Sequence, residues 1–124
     1  IGLETANYQL DVLNAIPIEE QIEMLKSANL DVNPLNEFLE LVEIYKLQDL
    51  NAMLEMFYED ESLIEFEDDL LIQRNKNWIP IIEKNISKTA VFIAVGAMHL
   101  PGEYGLINLL KQKGYTLTPV NIYE

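Results

Sequence analysis

The sequence predicts an α/β fold, predominantly helical, with a small parallel sheet supplied by a C-terminal strand-helix-strand unit. Three observations carry this reading. Residues 90–95 are an unbroken apolar run rich in β-branched side chains, the pattern of a strand buried on both faces. Residues 103–113 place Leu106, Ile107, Leu109 and Leu110 at amphipathic-helix spacing. Residues 115–120 alternate as a second strand, with Pro119 suited to an edge or a strand end. A strand, a helix and a strand at this spacing imply parallel pairing and a right-handed crossover.

Taken in order, Ile1–Leu3 reads as the tail of a short strand, and Thr5 is placed to cap a helix running to about Ala15 with Leu10 and Leu13 inward. Pro17 suits the first turn of the next helix, where Ile18, Ile22 and Leu25 recur at i, i+4 and i+7. Asn33 and Pro34 combine a cap with a first-turn proline, and Leu35, Phe38, Leu39, Val42 and Tyr45 continue the stripe. Asp49 caps a shorter helix with Leu50, Met53, Leu54 and Phe57 facing in. Residues 62–86 read as one long helix, or two meeting near Pro80, where the missing donor and ring clash kink a helix. Gly114 is placed as a C-terminal cap, with Lys111 and Lys113 at the negative end of the helix dipole. The helical segment thus covers about 5–87 and the strand-helix-strand unit 90–120, within a single domain or domain fragment.

A chain of 124 residues can bury one real core but not two. Acidic residues outnumber basic ones 21 to 8, for a formal net charge of −13. That field repels nucleic-acid phosphates and anionic membranes and disfavours both as partners. The apolar run at 90–95 is far too short to span a bilayer. The absence of cysteine excludes disulfides, thiolate metal sites and cysteine nucleophiles. It leaves the compartment open, an exported or membrane-associated bacterial parent included. The chain opens Ile-Gly-Leu-Glu without an initiator Met, which points to a processed product or a piece of a larger domain. Between Glu59 and Asp69 stand seven acidic residues, Glu59, Asp60, Glu61, Glu65, Glu67, Asp68 and Asp69. They lack the glycine and ligand rhythm of a calcium loop and read as a solvated helix face.

Candidate chemistry begins with His99, the only histidine. It falls at the predicted carboxyl end of a strand, where reactive groups gather in open α/β sheets, between the turn-permitting Gly96 and the pair Pro101 and Gly102. A neutral imidazole there can ligate a metal or move a proton, although a lone histidine is more often structural. Glu4, between an apolar segment and a helix cap, is either a dipole-stabilising residue or a carboxylate beside His99. Arg74 interrupts the apolar stripe of Leu63, Phe66, Leu70 and Trp78. It either snorkels to water past Trp78 or faces a site inward, because an unpaired buried guanidinium is costly. One His, one Glu and one Arg fall short of the three or so protein ligands of a catalytic metal site. No phosphate loop, dinucleotide fingerprint or nucleophile elbow is present.

The apolar run leading into Gly96-x-x-His99-Leu100-Pro101-Gly102, then a helix, Gly114-Tyr115 and a final strand, closely resembles the C-terminal end of the TraB/GumN family, which also takes in the Tiki proteins. Gly2-Leu3-Glu4-Thr5 is similar to that family's Gly-Leu-Glu segment, and Arg74-Asn75 with Trp78 resembles its Arg-Asn-x-x-Trp motif. The resemblance implies an α/β fold of the kind seen in Tiki and erythromycin-esterase-like proteins. For some members it also implies metal-dependent protease activity with a divalent ion such as manganese or cobalt. By position it implies His99 as a catalytic histidine or metal ligand, Glu4 as its paired carboxylate and fellow ligand, Gly96 as a backbone hinge, and Arg74 as a site-facing cation. Asn75, Trp78, Pro101 and Gly102 would be structural parts of the same motifs. The family carries an earlier Gly-x-x-His that has no counterpart here, so the chain is expected to be a C-terminal half, inactive by itself.

Three functions compete on this basis. The first is part of a divalent-metal-dependent, peptidase-like hydrolase acting on a peptide or protein substrate. The second is a non-catalytic peptide-binding or sequestering protein. The third is an acidic helical interaction module in which His99 is structural. An unpaired strand edge would additionally allow two copies to associate.

Overall fold

Helix starts follow the side chains able to cap them. Thr5 Oγ1 accepts the Tyr8 amide at 3.1 Å and opens α1 (Ala6–Ala15). Pro17 stands before α2 (Ile18–Leu30), and its carbonyl receives the Gln21 amide at 3.0 Å. A proline also begins α3 (Pro34–Leu47), where its missing N–H is one that a first turn leaves unpaired anyway. Asp49 Oδ1 accepts the amides of Asn51 and Ala52 at 3.1 and 3.0 Å and opens α4 (Leu50–Glu59). The structure, a computed structural model, describes residues 1–30, 34–59 and 64–120, with the side chains of 27–30, 34, 35 and 37 outside the described set. The expected cap at Asn33, the stripe positions Leu35 and Leu63, and the helix start at Ser62 lie outside the described residues or side chains.

A π-helical turn over Asp68–Ile72 runs directly into α5 (Gln73–Ile86), which continues through Pro80. After Gly96 comes a single 3₁₀ turn, Ala97–His99, and then α6 (Leu106–Gln112). The last helix starts at Leu106 rather than Glu103 because residues 101–105 form a turn, with Gly102 at φ +83°. Gly114 closes α6 at φ +91°, and the Tyr115 amide reaches back to the Leu110 carbonyl at 3.1 Å.

The small parallel sheet is not formed, and the fold class is helical rather than α/β. Among the described residues there are six α-helices and no strand. Residues 1–3, 90–96 and 115–120 are irregular and join no backbone ladder. Apolar, β-branched composition favours strand geometry, but a strand exists only through hydrogen bonds to a neighbour, and here none lies alongside. Phe92 is accordingly 94% exposed.

A core forms where α5 meets α6. Trp78, Ile79 and Ile82 of α5 are buried with Leu106 of α6, and Leu3, Val95 and Leu110 pack around them. Elsewhere the expected burial is not met. Leu10 and Leu13 of α1, Ile22 and Leu25 of α2, and Phe38, Leu39 and Tyr45 of α3 are exposed, whereas Met53 of α4 is buried. Helical periodicity decides which residues share a face; only a second element can cover that face. In the acidic stretch, Glu59, Glu65, Asp68 and Asp69 are exposed, Glu67 accepts the Tyr58 hydroxyl at 2.8 Å, and Asp60 and Glu61 lie outside the described residues. No described helix is long and apolar enough to cross a membrane.

Candidate functional site

The site is assembled by α5. Residues 74, 75 and 78 lie within little more than one turn, so their side chains leave the helix towards neighbouring elements. Arg74 turns to the N-terminal segment and grips Glu4 at two points, Nη2 to Oε1 at 2.7 Å and Nε to Oε2 at 3.2 Å. Its Nη1 donates to the Leu70 carbonyl at 2.8 Å, a group that belongs to the π-helical turn. The pair is largely out of water, with Arg74 and Glu4 side chains 18% and 8% exposed. Trp78 Nε1 donates to Glu4 Oε2 at 3.0 Å, and Gln9 Nε2 donates to Oε1 at 2.9 Å. The Arg74 guanidinium also lies 5.2 Å from the Trp78 ring centroid, within cation–π range. Burial pushes the Glu4 carboxyl up, but the hydrogen bonds from Arg74, Gln9 and Trp78, with the Arg74 charge, hold it below its ordinary value of 4.5.

His99 packs against Trp78, ring centroids 4.4 Å apart and planes tilted by 47°. It is 7% exposed, and its Nδ1 stands 2.8 Å from Asn75 Oδ1. Burial lowers its pKa from 6.5 to about 4, and the nearby Arg74 charge adds to the shift while Glu4 opposes it. The imidazole is therefore neutral at neutral pH. Glu4, Arg74, Trp78 and His99 share the wall of one cavity of about 660 Å³, with residues 91–96 along another side. A second cavity of about 600 Å³ reaches His99 from α3, lined by apolar groups such as Leu41, Val42 and Met53.

The glycines and Pro101 divide by role. Gly96 has φ −60°, and a Cβ there would make ordinary contact with His99 Cδ2 at 3.6 Å, so this backbone does not require glycine. Gly102 does require it, and a Cβ on Gly105 would collide with the carbonyls of Pro101 and Leu100. Two contributors were not legible as site residues. Gln9 carries no motif, and its link to Glu4 depends on the turn that starts α1. Asn75 stands in the sequence as a motif position only, whereas the structure makes it the direct partner of His99.

A divalent metal held by Glu4 does not fit this arrangement. Each oxygen of the carboxylate already accepts two hydrogen bonds, which uses the roughly four lone-pair sites a carboxylate has. The adjacent guanidinium repels a cation as well. His99 offers one lone pair, and among the described residues no group of three or more His, Asp or Glu side chains converges.

These features define a helical chain that sets one neutral imidazole, and one ion pair whose carboxylate is fully hydrogen-bonded, against the same indole. The chain belongs to the TraB/PrgY/gumN family, whose family model matches residues 1–119. No curated protein and no solved structure matches it.

Proposed function

We propose that this chain contributes the proton-accepting half of a hydrolytic site, peptidase-like in its chemistry. The observation that carries the reading is the neutral His99 imidazole at the wall of the 660 Å³ cavity that Arg74 and Glu4 also line. A neutral imidazole can take a proton from an attacking water and return it to a leaving amine. Arg74 engages three of its five N–H donors with Glu4 and Leu70, and the other two are available to an oxyanion in the cavity. Glu4 holds the guanidinium in place and keeps the net charge of the pair near zero. Trp78 touches both groups, donating to Glu4 and packing its ring against the imidazole. The Glu4 carboxylate, saturated by four hydrogen bonds, acts here by orienting Arg74.

A second reading, peptide capture without turnover, draws on residues 91–95, which line the same cavity without backbone partners. One assay separates the two. The natural full-length protein carrying residues 1–124 is incubated with a mixed pool of unstructured peptides, alongside His99→Gln. Cleavage that falls at least 100-fold in the variant and survives a chelator supports the hydrolytic reading. Binding without cleavage, or cleavage indifferent to His99→Gln, overturns it.

A further inference from the structure

Among the described residues Asn75 is the most deeply buried polar side chain, 2% exposed, in the first turn of α5. An amide in that position must satisfy two donors and an acceptor at once. Its Nδ2 donates to the Tyr104 carbonyl at 2.9 Å and to the His99 carbonyl at 3.3 Å. The reverse orientation of the amide would set its oxygen against two carbonyl oxygens, which have no proton to share. The neighbouring backbone therefore fixes which end of Asn75 faces the ring. That end is Oδ1, an acceptor, 2.8 Å from His99 Nδ1.

We infer that Asn75 is a positioning residue that selects the tautomer of His99, holding the proton on Nδ1 and leaving the Nε2 lone pair bare. An acceptor facing Nδ1 is satisfied only when Nδ1 carries the hydrogen, so in the neutral ring Nε2 has none. Nε2 has no hydrogen-bond partner among the described residues, yet no buried polar side-chain atom is unsatisfied there. The bare nitrogen is therefore reached by solvent, and the 660 Å³ cavity is one of the two that His99 borders. The same amide ties the turn at Tyr104 to the ring through its second donor, so ring orientation and turn geometry are set by one side chain. This deepens the hydrolytic reading above, and it rests on His99 being the proton acceptor there.

His99 is the only histidine of the 124 residues, and its imidazole signals are assigned by their loss in His99→Gln. Protein labelled with ¹⁵N-histidine is examined at pH 8, where the ring is neutral. The expected wild-type spectrum has a protonated-type shift at Nδ1 and an unprotonated-type shift at Nε2. Asn75→Ala removes the acceptor, and the ratio of the two tautomers is expected to move towards Nε2–H by about tenfold, the scale of one buried hydrogen bond. Asn75→Asp keeps an acceptor oxygen at Nδ1 while losing the amide donors, and is expected to retain the Nδ1–H form. A purely structural asparagine would leave the tautomer unchanged in both variants. A wild-type spectrum with the proton on Nε2 overturns the inference, as does an unaltered tautomer in folded Asn75→Ala. Neither result depends on turnover, so failure of this inference and failure of the hydrolytic reading are separately visible.

Discussion

Arg74 spans 70 positions of the chain to hold both oxygens of Glu4, at 2.7 and 3.2 Å. The pair ties the N-terminal segment to α5, and Leu3 packs on the core immediately beside it. Removing one member leaves the other charge largely out of water without its counter-charge.

Arg74→Ala is therefore expected to destabilise the fold by about 3 kcal/mol, read as a lower urea midpoint at unchanged slope. Arg74→Lys keeps the charge but not the two-point fork, so it should recover less than half of that loss. A lysine variant as stable as wild type would show that charge alone, not geometry, holds the pair.

Acidification should destabilise the protein through two adjoining windows. The folded pKa of His99, about 4, lies below its unfolded value of 6.5, so the unfolded chain takes up the proton first. Stability is intact above pH 6.5 and falls as pH drops towards 4. Glu4 has a lowered folded pKa, so its contribution is present above 4.5 and lost as pH falls through the folded value. Thermal melts across pH 3–8 check this. His99→Gln should flatten the upper window and leave the lower one in place.

Trp78, the sole tryptophan, stacks on the sole histidine and gives an optical reading of the same event. Its emission is expected to change with a midpoint near pH 4 in the folded protein. The change should vanish in His99→Gln. A midpoint near 6.5 would mean that the ring is solvated rather than buried.

The turn after His99 should be far less tolerant than the residue before it. Gly105→Ala drives a Cβ into two carbonyls, and Gly102→Ala forces a strained positive φ, a cost of about 1 kcal/mol or more. Gly96→Ala makes only ordinary contact and should be near neutral. Comparing the three by denaturant unfolding tests whether residues 101–105, rather than Gly96, fix the ring's position.

What could be read from the sequence was what is local. The caps at Thr5 and Asp49, the helix stop at Gly114 and the stripes of α2, α3 and α4 depend on residues within a few positions of one another. The three motif blocks also named Glu4, Arg74 and His99 as candidates, and the chain brings them to one cavity wall. The parallel sheet is not legible in this way: 90–95 has the composition of a buried strand, while a ladder needs a partner that composition does not supply. The exposed faces of α1 and α3 follow from the same non-local question of what covers them. Asn75 was passed over as a motif letter, since its three hydrogen bonds join positions 24 and 29 residues away.

The most direct measurement is the pH profile of kcat/KM for peptide hydrolysis by the natural full-length protein. The expected profile rises with a midpoint near 4 and stays level through neutrality, the signature of a base already unprotonated there. In His99→Gln that limb should be lost with the activity. A flat profile, or a limb that persists without the imidazole, would contradict His99 as the proton acceptor.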